Sequence, residues 1–485
     1  MSVNRTLASG PDVAERTPVE LVRIPLRCRL APTQVLHALA AAGEPLPFAL
    51  VGNWAGGGAI VGSDPLRVAG ASDDPFAILD DLPVPEAAPA RAAGGSAAAS
   101  IVGGGWFGWL GYRLAARVEN IPLNSHRPHP LPEFHLAYYD NVLHLDADGT
   151  WWFEALTSDD RRSALEDRLR WLRRRLESVP PTAGYNGPGT APGPLRLTAS
   201  DAAHHLEAVR ECRTRIAAGE IFQANICLRL DGRCHVTPVT LMARALQDVA
   251  PPYAAGFSTP DGGIVSLSPE LFLRRQGRQV VTGPIKGTAP RDPDPAVAAA
   301  ALEGLRRSEK DAAEHVMIVD LMRNDIGRVC EYGSIVAPRW PVAEAHPGVW
   351  HLVSHVRGRL RPTVGDADLL RATFPPGSVT GAPKVQSLRV IAELEPAGRE
   401  VYTGAIGFAS PLAGLELNVA IRTLELGAGR MWLGAGGGIV ADSDPRTELE
   451  EALTKARPIA AALGTSVLVE SAPTHPRAHH VRHAA

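Results

Sequence analysis

The segment GAGGGIVADS spans residues 434–443 and leads directly into a predicted helix. Asp444 is a good helix N-cap, Pro445 suits the first helical position, and the helical pattern continues to about Leu463. Glycines let backbone N–H groups approach an anion closely. The segment is not a dinucleotide-binding G-x-G-x-x-G motif, because Ile439 stands where the last glycine is needed. It therefore predicts either a cradle for a carboxylate or a plain tight turn.

The predicted helix carries two carboxylates and an amine on one face. Glu448, Glu451 and Lys455 follow one another at positions i, i+3 and i+7. Two carboxylates on one face can hold Mg²⁺, which takes oxygen ligands and keeps several waters. The alternative is a surface ion pair between Glu451 and Lys455, worth about 0.3–0.5 kcal/mol. The helix taken alone favours the surface pair.

A second helix is predicted from Ser308 to Arg323, with Ser308 and Asp311 as its capping box. Glu314 lies inside this helix, just before the apolar residues 316–319. A carboxylate against an apolar stretch needs a partner, and a metal ion is one solution. The two helices together favour a shared divalent-metal site over the surface pair.

Two segments between these helices carry further candidate residues. Arg422 lies in the alternating stretch 418–423, which predicts a strand, and its guanidinium is either exposed or binds a carboxylate bidentately. The segment GSVTGAPK at residues 377–384 weakly resembles a phosphate-binding loop. It lacks the Gly-Lys-Ser/Thr ending, so we exclude a nucleotide site and predict a carboxylate cradle or a tight turn.

Lys286 lies in the segment PIKGT at residues 284–288, which predicts a tight apolar turn. An amine there loses hydration, and desolvation lowers the pKa of a lysine. The free amine is a nucleophile, whereas the ammonium is only a charge. The alternative is a surface lysine whose amine reaches the solvent. The carboxylate-bearing helices, the glycine-rich segment and Arg422 favour the reactive amine.

The composition is that of an ordinary globular protein. A chain of 485 residues can hold two or three domains, and 45% hydrophobic with 21% charged residues is typical of globular chains. A net charge of -3 argues against a nucleic-acid-binding protein. The five cysteines form no C-x-x-C pair, so neither a disulfide framework nor a zinc site is indicated. Since we find no signal-peptide pattern and no membrane-spanning run, we expect a cytoplasmic protein.

Segments rich in Pro, Gly or Ala divide the chain. Strands are predicted at residues 48–51, 137–139 and 151–153, and a helix at 161–177, while residues 87–100 predict a flexible insertion. We expect an N-terminal region 1–178, a linker 179–197, a catalytic body 198–464 and a disordered tail 465–485.

Several of these blocks, in order from about His205 to Leu463, resemble the chorismate-utilising enzymes. That family includes anthranilate synthase component I, aminodeoxychorismate synthase component I, isochorismate synthase and salicylate synthase. The blocks are PIKGT (284–288), MIVDLMRND (317–325), GAPK (381–384), IRT (421–423) and GGGIVADS (436–443). The resemblance implies a mixed α/β or α+β fold of two large sheets flanked by helices, with an N-terminal subdomain woven onto it.

The resemblance also implies roles for individual residues. Glu314 and Glu451 would bind Mg²⁺, with Glu448 close by, and the ion would neutralise the ring carboxylate of chorismate. Glu270, in SPELF, would assist loss of the C4 hydroxyl, which requires a raised pKa; the alternative is an ordinary turn or helix-terminus carboxylate. The residues implied to contact substrate are Gln223, His351, Ser378, Tyr402, Arg422, Gly436, Gly437, Gly438 and Lys455, of which Tyr402 and Arg422 would bind the enolpyruvyl carboxylate.

Two positions separate the reactions within the family. Gln223 stands where isochorismate and salicylate synthases carry a lysine that activates water, and glutamine cannot act as that base. Lys286 stands where anthranilate synthases carry alanine, which favours the aminodeoxychorismate synthase branch. The resemblance then implies that ammonia, supplied by a separate glutamine amidotransferase subunit, converts chorismate to 4-amino-4-deoxychorismate through a covalent adduct on Lys286.

Two alternatives remain. Anthranilate synthase component I is the nearest, and it is disfavoured by Lys286 and by the absence of a Leu-Leu-Glu-Ser inhibitor signature in residues 50–54. The other is a non-catalytic, chorismate-binding assembly subunit. The joint presence of Glu270, Lys286, Glu314, Arg422 and Glu451 speaks against it.

Overall fold

The computed structural model describes residues 18–86, 101–122, 124–180, 191–346 and 349–470. The strands are β1 (Pro18–Leu26), β2 (Phe48–Gly52), β3 (Gly58–Gly62), β4 (Arg67–Val68), β5 (Val84–Pro85), β6 (Gly105–Leu110), β7 (Phe134–Tyr139), β8 (Asn141–Leu145), β9 (Trp151–Thr157), β10 (Leu195–Leu197), β11 (Gln223–Arg233), β12 (Tyr253–Thr259), β13 (Gly262–Ser268), β14 (Leu271–Gln276), β15 (Gln279–Gly283), β16 (Ile285–Pro290), β17 (Val342–His346), β18 (Val349–Val353), β19 (Val356–Arg359), β20 (Gly381–Ala382), β21 (Ala405–Ser410), β22 (Gly414–Val419), β23 (Thr423–Gly427), β24 (Arg430–Ile439) and β25 (Val467–Val469). The α-helices are α1 (Pro32–Ala41), α2 (Ala115–Val118), α3 (Arg162–Glu177), α4 (Ala199–Ala217), α5 (Pro238–Asp248), α6 (Pro295–Arg307), α7 (Glu309–Gly327), α8 (Asp366–Thr373), α9 (Lys384–Leu394) and α10 (Pro445–Ala462).

Two large sheets form the centre of the molecule, and both contain strands from each half of the chain. The first runs β25-β10-β11-β24-β23-β13-β12-β2-β3-β8-β9-β1-β5, and the second runs β19-β15-β14-β22-β21-β6-β7-β4. The N-terminal strands join through β2, which pairs with β12, and through β6, which pairs with β21. The predicted two-sheet fold with a woven N-terminal subdomain is therefore confirmed.

Aromatic side chains fill the space between the sheets. Phe48 stacks on Phe257 at 5.4 Å between ring centroids, and Phe107 stacks on Phe408 at 5.6 Å. Phe48 also lies 4.5 Å from Phe107, which joins the two pairs into one buried cluster. Rings of this size dominate the burial energy of a core, so the two halves of the chain share one hydrophobic interior.

The chain crosses from one sheet to the other at two neighbouring connections. Residues 269–270 join β13 of the first sheet to β14 of the second, and residues 420–422 join β22 of the second sheet to β23 of the first. Hydrogen bonds tie the connections together: Ser268 Oγ donates to Val419 O at 2.6 Å, and Val419 N donates to Glu270 O at 3.0 Å. These crossings bring residues of both sheets to one place.

Some predicted boundaries are corrected by the structure. Residues predicted as linker and tail pair as strands, because β10 lies parallel to β25 at the edge of the first sheet. The helix predicted to end at Arg323 continues to Gly327, since the buried side chains of Met322 and Ile326 extend its apolar face. The predicted flexible insertion at residues 87–100 lies outside the described residues, as do residues 181–190 and 471–485. No helix in the described ranges has the length and apolarity to cross a membrane.

Candidate active site

Lys286 lies on a strand and not in the predicted turn. Strand β16 pairs with β18 through Ile285–Val353 and Thr288–His351, so Lys286 and Gly287 together oppose the single residue Leu352. This is a β-bulge, and Gly287 adopts a φ of 86° that favours glycine. A bulge bends the strand and re-aims a side chain, which explains how an amine on a strand reaches the site.

The amine of Lys286 lies among three of the predicted site carboxylates. Desolvation lowers the pKa of Lys286, and Lys455 lowers it further, whereas Glu314, Glu270 and Glu451 raise it. Within the described part of the chain, no hydrogen-bond acceptor contacts this amine. Burial thus outweighs the carboxylates, and the balance favours the neutral form of Lys286 more than in water.

Glu270 lies on the first crossing connection and is 4% exposed. Desolvation raises the pKa of Glu270 to about 7, against the lowering effects of a hydrogen bond from Ser378 and of the charges on Lys286 and Arg422. A carboxyl group with such a pKa is partly protonated near neutral pH. A raised pKa is what a general acid at this position requires.

The sequence predicted Arg422 within a strand. The structure instead places it on the second crossing connection. Its backbone has a φ of 50°, a left-handed conformation that costs energy for a non-glycine residue. The alternating pattern of 418–423 ends early because the chain leaves the second sheet after Val419 and enters the first at Thr423. Desolvation lowers the pKa of Arg422, while Glu270 raises it. The crossing thereby places a partly buried cation beside Glu270.

The glycine-rich segment is the end of strand β24 and not a turn. A Cβ atom on Gly437 would lie 3.1 Å from Glu448 Oε2, 3.7 Å from Glu451 Oε1 and 3.6 Å from Lys455 Nζ. A Cβ atom on Gly438 would lie 1.8 Å from Gln223 Nε2 and 3.5 Å from the Lys286 amine. The glycines are needed because charged side chains approach the strand from both faces.

The carboxylates beside Gly437 fit an Mg²⁺ site by their chemistry. Glu448 accepts a hydrogen bond from Ser443 Oγ at 2.6 Å, and Lys455 Nζ lies 2.8 Å from Glu451 Oε1. Among the described residues, no three or more His, Cys, Asp or Glu side chains are arranged as ligands of one ion. Mg²⁺ commonly uses only one or two carboxylates and keeps waters, so this donor set suits Mg²⁺ better than a fully caged metal.

The remaining predicted residues divide into two groups. His351 Nδ1 lies 2.9 Å from Thr288 Oγ1, and burial together with Arg422 lowers the pKa of His351 to about 4. Ser378 contacts Glu270. His351 and Ser378 therefore belong with Lys286, Glu270 and Arg422 to one group, which we call the Lys286 cluster. Tyr402 and Cys227 form the second group, which packs against β24 near Gly434. The ring of Tyr402 covers Gly434, and its hydroxyl lies 3.7 Å from Cys227 Sγ.

Gly436 connects the two groups. Lys455 Nζ donates to the carbonyl oxygen of Gly436 at 2.9 Å and lies beside Gly437, together with Glu448 and Glu451. A Cβ atom on Gly436 would lie 2.8 Å from Cys227 Sγ, on the side of Tyr402. The strand β24 therefore forms a common wall of both groups.

Sequence reasoning missed the role of Lys384. Its Nζ donates to Thr373 O at 2.6 Å and to Pro375 O at 3.0 Å, and it pairs with the buried carboxylate of Asp325. The segment 377–384 is thus fastened to helices α7 and α8 through Lys384. Thr288 was also missed, because its partner His351 lies 63 residues later in the chain.

The sequence profile of the chorismate binding enzymes matches residues 55–461. The chain is 37% identical over 352 residues to aminodeoxychorismate synthase component 1 of Klebsiella aerogenes, covering 73% of this chain and 75% of that protein. It is also 37% identical over 374 residues to anthranilate synthase component 1 of Streptomyces coelicolor, covering 74% of this chain and 73% of that protein. The two kinds of relative are equally similar, so identity alone does not separate their reactions.

Solved structures agree with the fold. The crystal structure of anthranilate synthase component I from Streptococcus pneumoniae superposes with a TM-score of 0.69 at 27% identity, covering 94% of this chain and 95% of that chain. The menaquinone-specific isochorismate synthase from Escherichia coli has the same TM-score of 0.69 at 19% identity, covering 92% and 95% of the two chains, and shows the fold alone.

Proposed function

This chain belongs to the chorismate-binding enzymes, and we propose that within this family it converts chorismate and ammonia into 4-amino-4-deoxychorismate. The supporting observation is the environment of Lys286. Its amine is desolvated, has a lowered pKa, and lies close enough to Glu270, Glu314 and Glu451 for their charges to act on it. An amine held in this way suits nucleophilic attack better than charge pairing.

The proposed reaction has two displacements. In the first, Lys286 Nζ bonds to ring carbon C2, the ring double bonds shift, and the C4 hydroxyl leaves as water with a proton from Glu270. In the second, ammonia bonds to C4, the double bonds shift back, and the C2–Nζ bond breaks. Protons released by the two attacking amines restore Glu270 and Lys286, so the net products are 4-amino-4-deoxychorismate and water.

The chain's own groups would orient the substrate. Arg422 is a partly buried cation beside Glu270 and suits the enolpyruvyl carboxylate, which is close to the departing hydroxyl in chorismate. Tyr402 stays protonated, because burial raises the pKa of its phenol, and it can therefore donate a hydrogen bond. Glu314 and Glu451 would hold Mg²⁺, with Glu448 close by, and the ion when bound would neutralise the ring carboxylate.

A second chain would supply the ammonia. Several relatives are named component 1, which implies a partner component. We infer that the partner is a glutamine amidotransferase, since the proposed reaction consumes ammonia, and this chain shows no glutaminase cysteine motif in its sequence.

The second candidate is anthranilate synthesis. It is supported by relatives of that name at the same identity, including the protein from Streptomyces coelicolor. In that reaction ammonia attacks C2 directly, and the position near C2 would then be needed for ammonia instead of for an amine of the protein. The proximity of Lys286 to Gly438 and Glu270 favours the first candidate.

A product assay separates the two candidates. The full chain is incubated with chorismate, Mg²⁺ and an ammonium salt at mildly alkaline pH, and products are identified by mass spectrometry. We expect 4-amino-4-deoxychorismate, which an added lyase converts to 4-aminobenzoate. Anthranilate as the main product would overturn the proposal.

Two variants of Lys286 test the covalent role. Lys286→Ala removes the amine, and Lys286→Arg keeps a cation that is not deprotonated in proteins. We expect both variants to lose 4-amino-4-deoxychorismate formation. Activity in Lys286→Arg would mean that Lys286 contributes charge and not a bond to C2.

A further inference from the structure

A cavity of about 90 Å³ lies on the far side of Tyr402 from the Lys286 cluster. It lies between helix α4, strands β11 and β24, and the segment 394–402. Cys227, Arg229 and Asp231 alternate along β11 and therefore share the face that lines it. Three arginines, Arg127, Arg229 and Arg399, line the cavity. Their hydrogen-bond partners indicate what kind of guest it fits.

Arg399 is fully engaged within the protein. Its guanidinium donates to both carboxylate oxygens of Glu395, at 2.9 and 2.7 Å, and to Val379 O at 2.9 Å. The carboxylate of Glu395 also accepts from Cys227 N at 2.8 Å, so both charges have partners on several sides. The charge of Arg399 is neutralised by Glu395, so Arg399 has no free donor for a guest.

Arg127 is only partly engaged, although it is almost completely buried. Its side chain is 1% exposed, and Nη1 lies 2.7 Å from Glu425 Oε2. Its Nε and Nη2 atoms have no hydrogen-bond partner among the described residues. The guanidinium lies 4.0 Å above the ring of Trp432, which fixes its plane. Two donor nitrogens of a buried cation thus remain unpaired.

Arg229 has no carboxylate partner in the described ranges. Its Nη1 atom is buried without a hydrogen bond, and desolvation together with the charge of Arg127 lowers its pKa. The carboxylate of Asp231, next along the same face, pairs with Arg430 instead. The guanidinium groups of Arg127 and Arg229 therefore lie close enough to repel each other, while the carboxylates of Asp201, Glu400 and Glu425 act on Arg229 without forming an ion pair with it.

A buried donor without an acceptor is costly, and more so when it belongs to a charged group. Water could satisfy the N–H groups one at a time but would not offset the repulsion between Arg127 and Arg229. An anion satisfies both requirements, and arginine binds the oxygens of carboxylate and phosphate in a fork geometry. The cavity of about 90 Å³ has room for a guest of several non-hydrogen atoms.

We propose that this cavity is a binding site for a small oxyanion of the carboxylate or phosphate class, held between the guanidinium groups of Arg127 and Arg229. The site is distinct from the proposed chorismate site, which centres on Lys286 and Arg422. The two share a wall, because Tyr402 and Gly434 line the cavity while the next residues of β24 face the Lys286 cluster.

The test measures binding to the full chain by isothermal titration calorimetry and by thermal unfolding. The probes are inorganic phosphate and sodium acetate, each compared with sodium chloride at the same ionic strength. We expect saturable binding of at least one probe, with a rise in the unfolding temperature that chloride does not reproduce. Which probe binds more tightly identifies the class of anion. Equal effects of all three salts would overturn the proposal, since they indicate ionic strength alone.

Variants locate the site. Arg229→Gln should weaken binding at least tenfold, and Arg229→Lys, which keeps the charge but loses the fork, should weaken it less. The matched control Arg196→Gln changes an exposed arginine on the neighbouring strand β10 and should leave the affinity unchanged. Arg422→Gln should also leave it unchanged. If Arg422→Gln abolishes binding and Arg229→Gln does not, the anion occupies the chorismate site and the proposal is wrong.

Discussion

Lys286 and Lys384 are both largely withdrawn from water, yet their surroundings differ in kind. The amine of Lys384 has a carboxylate and two carbonyl oxygens in direct contact. The amine of Lys286 has carboxylates near it but no hydrogen-bond acceptor in contact among the described residues, and burial lowers its pKa. A withdrawn lysine whose amine contacts hydrogen-bond acceptors acts as a structural clamp. A withdrawn lysine whose amine contacts none is a candidate nucleophile.

The rarity of lysine in this chain makes the comparison more informative. Of the 49 lysine and arginine residues, only Lys286, Lys310, Lys384 and Lys455 are lysines. Arginine keeps its charge in proteins, while a lysine can be neutralised by burial and offers a compact amine. A chain that uses arginine almost everywhere retains lysine where those properties count, and this signal was available in the sequence.

The largest expected effect is on stability and separates the two lysines directly. Lys384→Met leaves the carboxylate of Asp325 buried without its cation, which should cost about 3–5 kcal/mol of unfolding free energy. Lys286→Met should cost little or should stabilise, because it removes a desolvated amine. Urea unfolding at pH 7 measures both. Equal losses in the two variants would break the comparison.

The Lys286→Met difference should depend on pH with a definite sign. A lysine whose pKa is lowered by folding binds fewer protons in the folded state than in the unfolded state, so it destabilises the fold at neutral pH. The penalty fades as the pH rises toward the unfolded value of about 10.4. The gain from Lys286→Met should therefore be smaller at pH 9.5 than at pH 7, as measured by parallel urea titrations.

Glu270 provides the next largest effect. Folding raises its pKa from 4.5 to about 7, so the wild-type protein loses stability as the pH rises through this window. The shift corresponds to about 3 kcal/mol above pH 7. Glu270→Gln should remove this loss, and its unfolding free energy relative to wild type should increase from pH 4.5 to pH 7. A difference that is constant with pH would contradict the raised pKa.

The pH dependence of the activity should also reflect the protonation of Glu270. If Glu270 donates a proton to the leaving hydroxyl, kcat/KM should fall as the pH rises above about 7, because the acid form is lost. The basic form of Lys286 acts in the other direction, so a profile with two limbs is expected. In Glu270→Gln the limb near pH 7 should disappear from the residual activity.

Glu451 tests whether the carboxylates near Lys286 hold an ion. Glu451→Gln should raise the Mg²⁺ concentration for half-maximal activity by at least about tenfold, equivalent to about 1.4 kcal/mol. The neighbouring Glu450 pairs with Arg457 and is 64% exposed, so Glu450→Gln is the matched control and should have no such effect. Equal responses of the two variants would argue that Glu451 is only a surface residue.

Lys455 gives the smallest expected effect, because its ion pair is exposed to water. It pairs with Glu451 at 2.8 Å, but both side chains are more than 40% exposed, at 43% and 46%. Exposed pairs contribute about 0–1 kcal/mol, so Lys455→Met should change the unfolding free energy by less than about 1 kcal/mol. A larger loss would place Lys455 with Lys384 as a clamp.

Local features of the site were predictable from the sequence, and features that depend on long-range pairing were not. Helix α10 begins after Asp444, whose side chain accepts from the N–H groups of Arg446 and Thr447, and ends one residue before the predicted Leu463. The shared face of Glu448, Glu451 and Lys455 follows from helix periodicity and is observed beside Gly437.

The errors have a common physical cause. The bulge at Lys286 exists only against β18, and the conformation of Arg422 exists only because the chain changes sheets at that point. Strand β25 depends on a partner about 270 residues earlier in the chain, so its short apolar run carries no recognisable local signal. Composition alone therefore misjudged the start of the tail.

The pairing of β2 with β12 has a consequence for biosynthesis. Trp54, directly after β2, donates its indole N–H to Ala254 across 200 residues of sequence. A ribosome adds about 5–20 residues per second, so the N-terminal strands emerge roughly 10–40 s before the strands that cover them. During that interval β2 is an apolar strand with an open edge, and crowded neighbouring chains offer it the wrong partners. The yield of active protein in a cell should therefore respond to translation speed and to chaperone supply.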